Sequence, residues 1–148
     1  MSFKFPLVST GYYSPISYMR RTDGNTKNSN VVNYSTANES AGTDITYVPD
    51  AGFGDSFAIN TSGIYAVCLT GNMTLGGAGL EIHIAPAPVF FDVSLNPNSR
   101  GRQNNANNRV TTQSFTGFIP AGYVVWGFQP GPINAGTNIN QISVTRVR

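Results

Sequence analysis

No stretch of a dozen residues in this chain combines a helical repeat of apolar residues with freedom from glycine and proline. Short apolar stretches recur instead, and the segments between them, such as GNMTLGGAG and QPGPINAGTN, are rich in glycine, asparagine and proline. Short strands separated by such turn residues are typical of sandwiches and barrels. The sequence therefore predicts an all-β fold.

Eight strands are predicted in the second part of the chain. In chain order they are Thr46–Val48, Asp55–Asn60, Gly63–Thr70, Leu80–Ala85, Val89–Leu95, Val110–Phe118, Tyr123–Gln129 and Gln141–Val147. Eight short strands within about a hundred residues suit an antiparallel jelly-roll β-sandwich. This fold class is the central structural expectation.

Two of these strands have contrasting patterns. Between Leu80 and Ile84 apolar residues alternate with Glu81 and His83, which predicts one buried and one polar face, with His83 exposed. The segment Ile64–Leu69 is apolar on both faces. Such a strand belongs at the centre of a sheet, covered by the second sheet on one face and, in a domain this small, by a neighbouring subunit on the other.

The first third of the chain has a different character. Residues 3–19 hold short apolar pieces cut by proline, and residues 20–46 are polar, with Val31–Tyr34 as an isolated strand-like segment. A polar segment of this length is typical of a long loop or of an arm that becomes ordered against a partner. We therefore expect an irregular, extended N-terminal arm or edge strands over residues 1–45, and a jelly-roll body over residues 46–148.

Charge is scarce throughout the chain. Charged residues make up 11% of the sequence and the net charge is +2, which argues against general binding of nucleic acid. No apolar run is long enough for a membrane span, and the start, MSFKFPLVST, lacks the pattern of a secretory signal. A weakly charged surface favours self-association, so we expect a symmetric oligomer.

No residue pattern indicates catalysis or a cofactor. The single cysteine, Cys68, lies in an apolar strand and is expected to be buried, and the single histidine, His83, has no cluster of ligands or carboxylates beside it in sequence. Asp50 and Asp55 are not spaced like a metal-binding loop. We therefore expect no enzyme activity, no metal and no cofactor.

Two motifs resemble the C1q/TNF-like superfamily. Phe57, Gly63 and Tyr65 match the spacing of its signature Phe-x5-Gly-x-Tyr-x-Phe-x-aromatic, with the aliphatic residues Val67 and Leu69 in place of the last two aromatic ones. Later, the segment from Gly122 to Trp126 is similar to the family's Gly-Asp-x-Val-Trp, with tyrosine at the acidic position. Together the two motifs extend the resemblance over residues 50–148.

The resemblance implies a trimeric jelly roll. The residues expected to pack the core or the threefold interface are Phe57, Gly63, Tyr65, Val67, Gly122, Val125, Trp126 and Phe128. In the strand that carries it, Tyr65 has the opposite parity to Ile64, so its ring is expected to fill the space between sheets while its hydroxyl finds a polar partner. Gly63 is expected to permit a tight turn into that strand.

The superfamily includes circulating ligands, complement heads, spore-surface proteins and phage structural proteins. The composition, rich in Asn, Thr, Ser and Gly, is similar to that of tail and capsid surface proteins. The leading hypothesis is a homotrimeric decoration (cement) protein on the surface of a bacteriophage capsid, made in the host cytoplasm and bound to the major capsid protein. In that hypothesis the arm clasps the capsid, and deletion of residues 1–45 leaves a folded trimer that no longer binds.

The alternative is a receptor-binding head of a tail or surface protein that recognises a glycan or a host protein. Its contact loops would be Gly71–Gly79 and Asn96–Asn108, where small polar residues offer adaptable hydrogen bonds. Arginine and asparagine cluster in the second loop, which is interpreted either as a solvated loop or as a partner contact. The residues concerned are Arg100, Arg102, Asn104, Asn105 and Arg109.

Overall fold

Ten strands are arranged in two antiparallel sheets within the residues that the computed structural model describes, which are 17–26, 31–50, 52, 54–73, 79–88, 99–104, 109–129 and 139–147. The strands are β1 (Tyr18–Thr26), β2 (Val32–Ala41), β3 (Ile45–Val48), β4 (Ser56–Ile59), β5 (Gly63–Met73), β6 (Gly79–Pro86), β7 (Ser99–Asn104), β8 (Arg109–Ile119), β9 (Tyr123–Phe128) and β10 (Gln141–Arg146).

Each sheet has five strands. Sheet A has the order β2-β1-β10-β5-β8 and sheet B the order β3-β4-β9-β6-β7. Consecutive strands switch repeatedly between the sheets, and every described pair is antiparallel. This is the predicted jelly-roll sandwich, in which one side is closed by β7 beside β8 and the other brings β1 next to β3.

The core lies between the two sheets. Tyr65 and Phe57 are the largest side chains that are completely buried there, together with Val67 from β5 and Val125 from β9. Tyr65 donates a hydrogen bond from its hydroxyl to the carbonyl of Thr61 at 2.6 Å, so its ring packs in the core without leaving the hydroxyl unpaired. The residues of the first motif therefore fill the sheet interface.

A second buried cluster lies on the outer face of sheet B. It contains Val31, Ala85, Val124, Trp126 and Phe128. Residues of alternate parity on β9 thus serve different layers, with Val125 in the main core and Trp126 in the outer cluster.

The boundary between arm and body is the main difference from the sequence prediction. Residues 18–41 are not an arm, because β1 pairs with β10 and β2 pairs with β1 as full members of sheet A. Within these polar strands the inward positions Thr22, Val32 and Tyr34 are buried. A register shift between Arg20 and Arg21 interrupts the alternation that would have marked β1 in the sequence.

Two predicted strands also differ in their surroundings. Glu81 and His83 in β6 are only 3% and 6% exposed, so the expected exposed face is buried. β5 lies between β10 and the edge strand β8, and its second face is partly exposed in the single chain. The loop predicted at residues 96–108 contains strand β7, and the predicted strand Val89–Leu95 lies outside the described residues.

A buried carboxylate ties the sheets together along the β2–β3 side. Asp55, which has no exposed surface, accepts hydrogen bonds from the backbone N–H of Tyr34 at 2.6 Å and from Asn33 Nδ2 at 2.8 Å. It also accepts from the backbone N–H of Asp50 at 3.0 Å and from the Tyr47 hydroxyl. These four donors come from β2, from β3 and from the segment that precedes β4, so one side chain fixes three parts of the chain.

We expect the Asp55→Ala variant to lose about 3 kcal/mol or more of unfolding free energy, because it leaves several buried donors without an acceptor. Tyr47→Phe removes one of the four hydrogen bonds and is expected to cost about 1 kcal/mol. Urea unfolding monitored by tryptophan fluorescence measures both. Equal midpoints for the wild type and Asp55→Ala would contradict the structural role assigned to this carboxylate.

Candidate self-association face

The outward side of sheet A carries an uncharged surface over three adjacent strands. We call this surface the open face, and it consists of the alternate residues 64–72 of β5, 110–118 of β8 and 141–147 at β10. None of these side chains is charged. An uncharged surface of this extent is unusual on a soluble monomer and is typical of a protein contact.

An apolar row crosses one end of the open face. Ile64 is the Cα partner of Phe118, and on its other side the backbone N–H of Val147 donates to the Ile64 carbonyl at 2.7 Å. Phe118 is 63% exposed and Val147 is 55% exposed. Three large apolar side chains thus stand next to one another across three strands, and a partner that covered them would gain hydrophobic stabilisation.

Small hydroxyl and thiol side chains cover the middle of the open face. Cys68 is the Cα partner of Ser114 on β8 and of Ser143 on β10, and it is partly exposed, so the prediction that it is buried was wrong. Thr70 and Thr112 approach each other with 3.1 Å between their Oγ1 atoms. Short side chains make this region flat, which allows close approach of another protein backbone.

The edge strand of sheet A next to the open face carries charge only at Arg109, its first residue. Among the described strands β8 is the last of sheet A, and its residues 110–119 include no charged residue and no proline. Its pairing with β5 runs in one continuous register from Gly63–Ile119 to Met73–Arg109. Edge strands of soluble proteins are usually shielded by charges, prolines or bulges, so a long regular edge of this kind is expected to be covered by a partner.

A charged residue on β1 bounds the open face on the side away from β8. Arg20 of β1 is the Cα partner of Ser143, and its Nε and Nη2 atoms donate to Gln141 Oε1 at 3.0 and 2.7 Å. On the neighbouring strand Glu39 stands opposite Arg20 and is exposed. Charge therefore begins at the β1–β2 rim and not within the face.

Polar contacts fix the end of the face where the apolar row lies. Arg146 Nη1 donates to Asp44 Oδ2 at 3.1 Å, and the Ser17 hydroxyl donates to the same oxygen at 2.7 Å. Hydrogen bonds from Thr61, then from Ser17, and the nearby Arg146 lower the pKa of Asp44. The ionised carboxylate therefore stabilises the junction of β1, β10 and the β2–β3 connection.

Apart from the two glycines, the residues singled out by the motifs lie away from the open face, in the main core or in the outer cluster of sheet B. Gly63 is an ordinary strand residue paired with Ile119, and it is not among the described glycines with positive φ. Gly122 does have a positive φ, of 81°, and no heavy atom lies within 4 Å of the position that a Cβ would take there. Only the backbone conformation at Gly122 therefore requires glycine.

The predicted partner-contact residues lie mostly in strands and not in a loop. Arg100, Arg102 and Asn104 belong to β7, at the edge of sheet B, and Arg109 begins β8. Asn105 lies outside the described residues. Because β7 and β8 are neighbours along one side of the sandwich, the structure brings the three arginines to the same side.

The acid and the histidine of β6 form a buried pair. His83 Nε2 lies 2.9 Å from Glu81 Oε2, and the imidazole packs in a tilted orientation with its centroid 4.9 Å from that of the Phe128 ring and 5.3 Å from that of the Trp126 ring. Among the described residues, no group of three or more His, Cys, Asp or Glu side chains is placed to hold a metal ion. The described part of the chain contains no helix that is long and apolar enough to cross a membrane.

Comparison with solved structures identifies the fold. The crystal structure of murine APRIL at pH 8.5 superposes with a TM-score of 0.63 over 89% of this chain and 99% of that chain, at 11% identity. Pika GITRL gives a TM-score of 0.61 over 91% of this chain and 98% of that chain, at 6% identity. The Eiger TNF structure from S. frugiperda gives 0.61 over 90% and 92%, at 10% identity.

The fold is TNF-like. At such low identity the likeness establishes the architecture of the TNF-like jelly roll and leaves the biological role to be argued separately. No protein-family model matches the chain, and no curated protein matches it. The structural similarity agrees with the resemblance of the Phe57 and Gly122 motifs to the C1q/TNF-like superfamily.

The lowered pKa of Asp44 predicts how stability depends on pH. The charged form is favoured in the folded state, so its contribution is complete above the unfolded pKa of about 4 and is lost as pH falls through the lower folded pKa. We expect Asp44→Asn to be less stable than the wild type at pH 7, with the difference shrinking as the solution is acidified below pH 4. Urea unfolding over a series of pH values measures this, and a pH-independent difference would contradict it.

Proposed function

We propose that the protein is a homotrimer assembled through the open face and that it acts by binding and not by catalysis. The observation that carries the proposal is the open face itself, which has no charged side chain, includes the exposed Phe118 and adjoins the unprotected edge of β8. The TNF-like fold supports a trimeric binding or structural domain. A subunit interface on this face would bury the apolar row and cover the β8 edge together.

We expect the purified protein to have a native mass of three times 15.8 kDa in multi-angle light scattering. Phe118→Glu places a charge within the proposed interface and is expected to shift the protein to monomer, because burial of an unpaired carboxylate is unfavourable. Val48→Glu is the matched control, since Val48 is an exposed apolar residue on β3, at the far edge of sheet B. A trimer that survived Phe118→Glu would place the interface elsewhere.

The finer role proposed for this trimer is that of a decoration protein on a bacteriophage capsid, in contact with the major capsid protein. What supports it is the composition, in which Asn, Thr, Ser and Gly carry the polarity and charge is scarce. The capsid-clasping arm no longer extends over residues 17–45, because β1 and β2 are part of the sandwich. Deletion of residues 1–45 is therefore expected to unfold the protein, and not to leave the folded trimer that the arm hypothesis required.

Localisation on particles tests this role. The experiment applies gold-labelled antibody against the protein to intact, purified virions of the phage whose genome encodes it. We expect the antibody to mark the capsid surface evenly. Labelling confined to the tail tip would instead support the receptor-binding head, and virions without label at either place would contradict a virion role. The labelling is repeated after the particles have been treated at low salt to dissociate the protein. For a decoration protein we expect the label to be lost while the capsid stays intact.

A further inference from the structure

Charge is distributed unequally along the chain. Residues 93–148 contain five arginines and no acidic residue, whereas residues 17–59 contain five of the seven acidic residues and three basic ones. The fold converts this difference in sequence into a difference in space. β1 to β4 lie at one side of the two sheets, and β7 and β8 form the opposite side.

The β7–β8 side is cationic. Arg100 and Arg102 lie in β7, and Arg109 begins β8, so three of the nine basic residues occur on two neighbouring edge strands. Neither strand contains an acidic residue. This side of the fold therefore has a net positive charge and adjoins the uncharged open face.

On the opposite side, most of the described carboxylates are already engaged. Asp55 is buried among hydrogen-bond donors, Asp44 is paired with Arg146, and Asp50 accepts from the backbone N–H of Gly52 at 2.8 Å. Glu81 lies instead on β6, beside the cationic side, where it is the Cα partner of Arg102 and is buried next to His83. Glu39 is the exposed carboxylate among the acidic side chains that the structure describes. Its negative charge is fully available at the surface.

The nearest candidate partner of Glu39 is directed elsewhere. Arg20 is the Cα partner of Glu39, yet its guanidinium makes two hydrogen bonds to Gln141. No hydrogen bond or ion pair joins Glu39 to another part of the described chain. Within the described part of the chain, Glu39 thus stands without a partner at the β2 rim of the open face, across that face from the cationic β7–β8 side.

We propose that Glu39 of one subunit pairs with the arginines of the β7–β8 side of a neighbouring subunit. This inference rests on the self-association proposed above and specifies which surfaces meet. The acidic rim lies at the β2 end of sheet A, whereas the cationic side lies at the β8 end of that sheet and on β7 at the neighbouring edge of sheet B, so each subunit offers both halves of the contact. Pairing of unlike charges across the rim of an interface sets the partner's orientation and accelerates encounter.

Charge reversal on the full-length protein tests the proposal. We expect Glu39→Arg, and separately the double variant Arg100→Glu/Arg109→Glu, to raise the concentration at which the trimer dissociates by about tenfold. The triple variant that combines all three changes restores the opposite charges in reversed order and is expected to return toward the wild-type value. Sedimentation equilibrium over a dilution series measures dissociation, and circular dichroism with urea unfolding verifies that each variant is folded.

Glu39→Gln is the matched control, because it removes the charge without reversing it. Its trimer is expected to dissociate at a concentration between those of the wild type and of Glu39→Arg. High salt should narrow all these differences, since exposed pairs are screened. If Glu39→Arg and the double variant both dissociate at the wild-type concentration, the proposed pairing is wrong, although the trimer stands. The pairing is also wrong if the triple variant dissociates at no lower a concentration than these variants do. A wild-type protein that is monomeric at all concentrations overturns the proposed function instead.

Discussion

The hydrogen bonding of one buried carboxylate determines how the first part of the chain joins the rest. Asp55 belongs to the segment before β4 in sheet B, and its acceptor oxygens are satisfied by Asn33 and Tyr34 of β2 in sheet A and by Tyr47 of β3. Because a buried charge is stable only while these donors surround it, β2 cannot leave the sandwich without a large cost. Arg21 stacks over the Tyr47 ring at 3.4 Å and covers this group of contacts from the side. With β2 fixed, β1 is held between β2 and β10, and the rim of the open face is defined.

The sequence predicted the class of fold correctly because strand periodicity and turn residues are local properties. It did not predict β1 and β2 because these polar strands are stabilised by backbone pairing and not by an apolar pattern of their own. Their few inward residues, such as Tyr34, become buried only when the two sheets pack together. The faces of β5 and β6 were also harder to assign than their patterns indicated. Glu81 and His83 are buried as a pair beside the Trp126 and Phe128 rings, whereas Cys68 and its apolar neighbours remain partly exposed on β5. Burial of a strand face depends on what packs against it, and a single strand does not encode that.

The motifs located the fold and not the contact surface. Phe57 and Tyr65 stand out in the sequence because few side chains fit the centre of the sandwich, and that same requirement places them where no partner reaches. Threonine and serine supply six of the fourteen residues of the open face, and their individual positions carry no recognisable chemistry. One signal was nonetheless present: ten consecutive residues from Val110 to Ile119 lack both charge and proline, which an isolated edge strand seldom does. That signal acquires meaning only when the strand order shows that β8 is an edge.

The regular, uncharged edge of β8 also has a consequence for the life of a newly made chain. Until neighbours arrive, its row of backbone donors and acceptors is a template for any other extended segment in the same state, including another β8. Assembly and aggregation then compete for the same exposed strand. Which one occurs depends on their relative rates and on the protein concentration, and not on a difference in structure. Electrostatic attraction between the acidic rim of one subunit and the cationic side of another accelerates correct association. It thereby protects the free subunit from aggregation.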